Sequence, residues 1–295
     1  MSNLMRYKFL YFILSLFIIL PGLYFLISSG VKLGIDFTGG ALLEYKIESK
    51  VQTDELRKTV SDQGVEVGSV IPSGDNVYII RTKPLEQEKI NQINKTLTEK
   101  FGKVEQRRQE FVGPVIGAEL RQKATIAVAL ASLMIVLYIA FSFRKVPKPY
   151  SSWRFGIAAV VALVHDILVV VGVYAILGKF LGVEIDTLFV TALLTIIGFS
   201  VHDTIVVFDR IRENLIKQQG KKFIEVANLS VVQTLGRSLN TSLTVVFVLI
   251  ALLLFGGETI RWFVVALLVG IISGTYSSIF NATALLVWWE EKLGY

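Results

Sequence analysis

Two His-Asp pairs, His165-Asp166 and His202-Asp203, stand inside apolar runs long enough to cross a bilayer. An ionisable side chain in such a run is costly, and it either bonds a neighbouring helix or handles ions and protons. Both readings follow from the residue type at Asp203: a carboxylate accepts hydrogen bonds from a packed helix, and it also takes up and releases a proton. Written as a helix, 195–214 puts Thr195, Gly198, Phe199, His202, Asp203, Val206, Asp209 and Arg210 on one face. That polar face is expected to look into a helix bundle, leaving Ile196, Ile197, Ile205 and Val207 for the other faces.

A third charge stands in the stretch QTLGRSLNTS at 233–242, where Gln233, Arg237, Asn240, Thr241 and Thr244 share a face. With the helix starting near Val231, Arg237 is about 9 Å in, and Asp203 is about 10 Å before Arg210. At that depth Arg237 either pairs with Asp203 across neighbouring helices or snorkels to the headgroups. His165 and Asp166 are about 18 Å beyond Trp153-Arg154, close to a bilayer midplane. A metalloprotease using His165, Asp166, His202 and Asp203 would need H-E-x-x-H and a third well-spaced ligand, which the chain lacks. With no cysteine, disulfides and thiolate metal sites are excluded, and no cofactor or metal is expected.

The elements that must position these residues follow from composition. A chain of 295 residues that is 53% hydrophobic and 18% charged has more apolar surface than one soluble core buries. Apolar windows of spanning length occur at 9–29, 125–143, 155–177, 188–208, 238–255 and 263–289. The first is read as a retained span: its apolar core is long, Pro21-Gly22 interrupts it, and the small residues at 28–30 make a poor cleavage site. The net charge of +6 is not a nucleic-acid signature, because 31–123 holds 15 basic against 14 acidic residues. The surplus flanks the spans: Arg6, Lys8, Arg144, Lys145, Lys148, Arg154, Arg210, Arg212, Lys217, Lys221 and Lys222 on one side, Lys179 and Arg261 in the opposite short loops. The basic side is cytoplasmic by the positive-inside rule. Both termini are therefore expected in the cytoplasm, and 30–123 outside it.

The fold class expected is a polytopic α-helical membrane protein with six transmembrane helices plus an α+β ferredoxin-like periplasmic domain. Its parts are a cytoplasmic N-terminus and first span (1–29), the periplasmic domain (30–123) and a five-helix bundle with cytoplasmic loops (124–295). Within 30–123, strands are expected at 41–47, 65–71, 77–82 and 103–112, helices from 53 to 60 and from 85 to 101, and a turn at Ser73-Gly74-Asp75-Asn76. This is the β-α-β-β-α-β order of a ferredoxin-like domain. Lacking histidine, cysteine and a phosphate loop, such a domain is expected to bind or couple rather than catalyse, and the chain is not expected to be an enzyme. The segment GIDFTGG at 34–40, with Asp36, Gly39 and Gly40, reads as a sharp bend near the membrane. Gly113-Pro114 breaks the last strand, and a helix then leads into the second span, either as a lever or only as a proline at a helix start. In the sixth span Gly270, Gly274, Ser277, Ser278 and Asn281 form a small-residue stripe, read as packing and not chemistry.

Five motifs in order, GIDFTGG at 34–40, VGPVIGAEL at 112–120, SVHDTIVVFDRIREN at 200–214, QTLGRSLNTS at 233–242 and GTYSSIF at 274–280, together resemble the SecF family of the bacterial Sec protein-export machinery. The resemblance covers nearly the whole chain. It implies six spans similar to the resistance-nodulation-division transporters and a multi-pass protein of the bacterial inner membrane. It also implies a periplasmic domain that helps move exported polypeptide with the proton-motive force. The partners implied are a SecD-like membrane subunit, a SecYEG-type translocon, the exported polypeptide and the lipid bilayer. The family links the fourth-span aspartate and fifth-span arginine, here Asp203 and Arg237, to proton passage; its motif often has Asn where this chain has His202. The proton pathway is thus expected among Asp203, Arg237, His202, Asp166 and His165, and the coupling hinge among Asp36, Gly39, Gly40, Gly113 and Pro114. A competing class is half of a proton-driven transporter of lipid or small molecules, whose second half would be another chain.

Overall fold

The computed structural model describes residues 3–74, 76–144 and 146–294. Asp75, expected in the hairpin turn, and Lys145, expected among the basic loop residues, lie outside the described residues. After a 3-10 turn at Leu4–Tyr7 come α1 (Lys8–Ser29), α2 (Ile35–Thr38), β1 (Gly40–Ile47), α3 (Thr53–Ser61), β2 (Val67–Pro72), β3 (Val77–Thr82), α4 (Gln87–Phe101) and β4 (Val104–Val112). Then follow α5 (Pro114–Ser142), α6 (Ser152–Leu181), α7 (Thr187–Lys217), α8 (Phe223–Phe255) and α9 (Glu258–Tyr276). A π-helical stretch, Ser277–Ala282, joins α9 to α10 (Thr283–Lys292). Among the described residues six helical runs are long and apolar enough to cross a membrane, the last running from Thr259 to Lys292. The chain divides into two units, Lys32–Thr125 with Glu184–Thr187 in one and the remaining residues in the other.

The helical unit is held by close backbone approach and aromatic packing. A Cβ on Gly22 would stand 2.8 Å from the Gly172 Cα, so α1 and α6 cross where both carry glycine. Pro21 stays inside α1, as proline does in membrane helices whose neighbours meet the freed backbone. Phe143, Phe155, Phe208 and Phe223 pack edge-on or tilted in one cluster between α6, α7, α8 and the end of α5. The α7 face differs from the sequence expectation. Ile196, Ile197 and Val207 are buried, whereas Thr195, Gly198, His202 and Asp209 are exposed. The reason is shape: a Cβ at Gly270 of α9 would collide with Ile196, and one at Gly274 would meet Ser200 at 3.0 Å. In hydrocarbon, interlocking with a small-residue groove decides which face packs, since burying a leucine or isoleucine against protein gains little over lipid.

The α+β unit has a four-stranded antiparallel sheet in the order β2-β3-β1-β4, the topology expected of a ferredoxin-like domain. Alternate residues Leu43, Tyr45 and Ile47 of β1 point to the covered face. They pack there with Ile80, with Leu56 and Val60 of α3, and with Ile90, Ile93 and Leu97 of α4. Two tyrosines enter this core with their polar ends met: Tyr78 Oη donates to the Val51 carbonyl at 2.8 Å, and the Tyr45 hydroxyl bonds Asn94. Opposite Glu44 and Tyr45 the edge strand β4 carries one extra residue, Arg107, a bulge that bends β4 against β1. The unit also takes in Glu184–Thr187, which the sequence reading assigns to the bundle. Leu33 and Ile185 form a parallel bridge, with Gly34 N donating to the Ile185 carbonyl at 2.8 Å and Ile185 N to the Lys32 carbonyl at 2.7 Å.

Candidate functional site

Asp166 is a fully buried carboxylate on α6, and it is met by hydroxyls from two other spans. Oδ2 accepts from Ser200 Oγ of α7 at 2.6 Å and from Ser277 Oγ at 2.7 Å; Oδ1 accepts from Ser273 Oγ of α9 at 2.8 Å. His165 Nδ1 donates to Oδ1 at 2.9 Å, which leaves Nε2 as the acceptor facing Ser15 Oγ at 3.0 Å and Asn281 Nδ2 at 3.2 Å. Asn281 Nδ2 also donates to Ser15 Oγ at 2.6 Å. One node thus ties α1, α6, α7 and the π-helical stretch together. The small-residue stripe of the sixth span is therefore polar chemistry as well as packing. A π turn, with its wider spacing, is a feature that recurs at functional sites, and here it carries Ser277, Ser278 and Asn281.

Asp203 on α7 is nearly as buried and far less well served. Ser242 Oγ is 3.5 Å from its Oδ2 and 2.6 Å from Thr275 Oγ1. Because Thr275 gives its own proton to the Ile271 carbonyl at 2.8 Å, the Ser242 proton goes to Thr275. His202 Nδ1 lies 3.9 Å from Asp203 Oδ1, and the His202 side chain is 63% exposed. The two carboxylates therefore differ in kind: Asp166 has four close donors, and Asp203 has only the longer contacts of Ser242, Ser238 and His202 among the described residues.

Arg237 does not meet Asp203. It is exposed on α8 and forms no ion pair among the described residues, while α8 turns Ser238 and Ser242 inward toward the bundle. The pairing expected from depth fails on azimuth: Arg237 lies one residue before Ser238, about 100° round the helix. With Asn240, Thr241 and Thr244 it makes an exposed polar stripe on α8, matching the exposed Thr195, Gly198 and His202 of α7. Among the described residues no three His, Cys, Asp or Glu side chains come together as a metal site.

At the other candidate centre, glycine is needed at specific points. Gly39 caps α2 with φ +72°, its N–H donating to the Ile35 carbonyl at 2.8 Å, and Gly40 follows at φ +142°. Added Cβ atoms would stand 2.8 Å from Pro114 Cα at Gly39 and 2.5 Å from the Thr82 carbonyl at Gly40. Gly117, which the sequence reading passed over as a site, closes the same contact, its Cβ position being 2.8 Å from Gly39 N. Gly113 has open space around it, so nothing steric asks for glycine there. Pro114 opens α5. Asp36 is spent on Thr187: its Oδ2 accepts from the Thr187 amide at 2.9 Å and hydroxyl at 2.6 Å, where α7 begins.

An ion pair at the basic end of the bundle is not legible in the sequence. Arg154 Nη1 meets Glu290 Oε2 at 2.8 Å with both side chains buried, and Lys8 pairs with Glu291 beside it. Arg154 reads as a topology charge in sequence, and only the return of α10 supplies its partner.

These features have relatives. The family description "Protein export membrane protein SecD/SecF, C-terminal" matches residues 92–292, and "SecD/SecF GG Motif" matches residues 24–51, which hold the Gly39-Gly40 turn. A protein translocase subunit SecF of Thermobaculum terrenum is 48% identical over 99% of this chain and 95% of its own length. One of Vibrio alginolyticus is 39% identical over 98% of this chain and 89% of its own length. The crystal structure of SecDF, a translocon-associated membrane protein from Thermus thermophilus, is similar with a TM-score of 0.87 and 35% identity, covering 98% of this chain and 39% of that one. This chain thus spans about two fifths of the SecDF chain. With family descriptions covering both the glycine turn and the bundle, and a SecF relative matched end to end, the chain belongs to the SecD/SecF family of protein-export membrane proteins.

Proposed function

We propose that the chain works as an auxiliary subunit of the Sec protein-export translocase, paired with a SecD-like membrane subunit and using the proton-motive force to promote late translocation of polypeptide delivered by a SecYEG-type translocon. It does so from the bacterial inner membrane, with both termini cytoplasmic and the α+β domain periplasmic, and with no covalent chemistry of its own. The observation that carries this reading is the pairing of an inward, poorly bonded carboxylate at Asp203 with an outward polar stripe at His202, Arg237, Asn240 and Thr241. Polar side chains facing lipid are costly, and a second membrane half would cover them. Asp203 is the group that exchanges the proton, because a carboxyl not locked by several strong donors can change its protonation state without breaking a hydrogen-bond network. Arg237, His202, Asp166 and His165 frame that exchange. The Asp36, Gly39, Gly40 and Pro114 contacts carry the resulting helix shift into the domain. A charge crossing about 100 mV releases roughly 2.3 kcal/mol, enough to reverse a two-state equilibrium with a modest gap.

The test is export from inverted membrane vesicles holding the chain with its partner. Asp203→Asn keeps size and much of the hydrogen bonding, and is expected to abolish stimulation by the proton gradient while the partner still co-purifies. Gradient-stimulated export at the wild-type rate in that variant refutes the proton role.

A further inference from the structure

One buried charge pair stands apart from the buried aspartates and the glycine turn. Arg81 of β3 meets Glu184 at 2.6 Å, with the two side chains only 18% and 11% exposed. Arg81 sits opposite Leu42 in the sheet register, on the face away from α3 and α4, and Glu184 opens the four-residue segment that the α+β unit holds by the Leu33–Ile185 bridge. We propose that Glu184 and Arg81 form a proton-stabilised latch that fastens the segment Glu184–Thr187, and with it the link between the third and fourth spans, to the outer sheet face of the α+β domain.

The groups facing the pair set the sign. Around Glu184 stand Arg81 from β3, Lys32 from the stretch before α2, Asp36 from α2 itself, and Asp186 from its own loop; Arg108 and Glu110 of β4 face Arg81. Three carboxylates, Asp36, Glu184 and Asp186, thus crowd a buried spot where one guanidinium is in contact, and Asp36 is already committed to Thr187. Burial leads and the neighbouring carboxylates add to it, while Arg81 and Lys32 oppose; the balance pushes the Glu184 carboxyl up to about 7. A neutral Glu184 can still accept a hydrogen bond from Arg81 and no longer repels Asp36 and Asp186. Since the closed latch holds the proton more tightly than an open, solvated carboxyl does, closure is favoured as pH falls through 7 and weakens above it. A shift of that size changes the closing equilibrium roughly tenfold between pH 8 and pH 6. The outward side of an energised membrane is the acidic one, so the gradient itself would hold the latch shut. The proposal rests on the functional reading only for that supply of protons.

The chain has no cysteine, so spin labels can be placed at will. Labels at Glu105→Cys on β4 and Leu181→Cys at the end of α6, both exposed, report the latch by electron–electron distance measurement on the full chain in lipid nanodiscs frozen at pH 6 and pH 8. The expected result is one narrow distance at pH 6, a second population rising roughly tenfold relative to it at pH 8, and a single narrow distance at both values in Glu184→Gln, which mimics the protonated state. Identical distributions at both pH values, a second population that grows on acidification, or a Glu184→Gln chain that keeps the wild-type response each overturn the latch. No transport is measured, so this result and the vesicle assay on Asp203 can fail separately.

Discussion

At the scale of single residues the two buried aspartates ask for opposite treatment. Asp166→Asn puts an amide where only acceptors fit: whichever way it turns, two N–H bonds face either Ser273 and His165 or Ser200 and Ser277. The bundle is expected to lose about 2–3 kcal/mol, read as a lower unfolding midpoint in detergent, whereas Ser273→Ala removes one neutral donor and costs about 1 kcal/mol. Asp203→Asn, with no close donor to offend, is expected to leave that midpoint within about 0.5 kcal/mol of wild type while eliminating the gradient response. A shared loss of stability would mean that both carboxylates are structural. Asp203, Asp166 and their histidines were legible from sequence, because a charge in an apolar run stands out. The donors around Asp166 were not: Ser200, Ser273 and Ser277 are common membrane-helix residues 34, 107 and 111 positions away. Their convergence is a property of packing.

At the scale of elements, glycines decide how closely backbones meet. The turn at Gly39-Gly40 was readable from its residue types, since a double glycine just before a strand pattern marks a conformation that other residues avoid. What it touches was not readable, because Pro114 and Thr82 reach it only through the sheet. Gly40→Ala meets both a forbidden φ and a carbonyl at 2.5 Å, and is expected to impair export from vesicles more than Gly113→Ala, whose Cβ enters open space. Equal export by the two variants, at equal membrane levels, would remove the turn from the coupling path. The face of α7 was misread for a related reason. Its polar residues suggested an inward face by the logic of soluble helices, but Gly270 and Gly274 on α9 accept Ile196 and Ser200 instead. The same device sets the crossing of α1 and α6: Gly172→Leu is expected to push the helices apart and lower the unfolding midpoint, while Gly198→Leu, with nothing within 4 Å of its Cβ position, leaves it unchanged.

At the scale of the whole molecule, six spans and a four-stranded α+β domain were both legible from hydropathy and from strand and helix periodicity. The expectation of a second membrane half came from six spans beside one small domain, and the structure adds an exposed polar stripe within 233–244. The structure makes that a surface question. Thr241 and Thr244 bond carbonyls of their own helix at 3.0 Å and 2.7 Å and so tolerate lipid, but Asn240 and Arg237 show no such partner among the described residues. Replacing Asn240→Leu together with Thr241→Val would suit this face to lipid and spoil it for a polar partner. The lone chain is then expected to resist aggregation in detergent longer than wild type, and pull-down of the SecD-like subunit from native membranes to fall about tenfold, the loss of roughly 1.4 kcal/mol that one or two missing interhelical hydrogen bonds produce. Partner recovery at the wild-type level, with a lone chain no more stable than before, would place the subunit interface on another face of the bundle and leave Arg237 to the headgroups, where a long cationic side chain near a helix end otherwise goes.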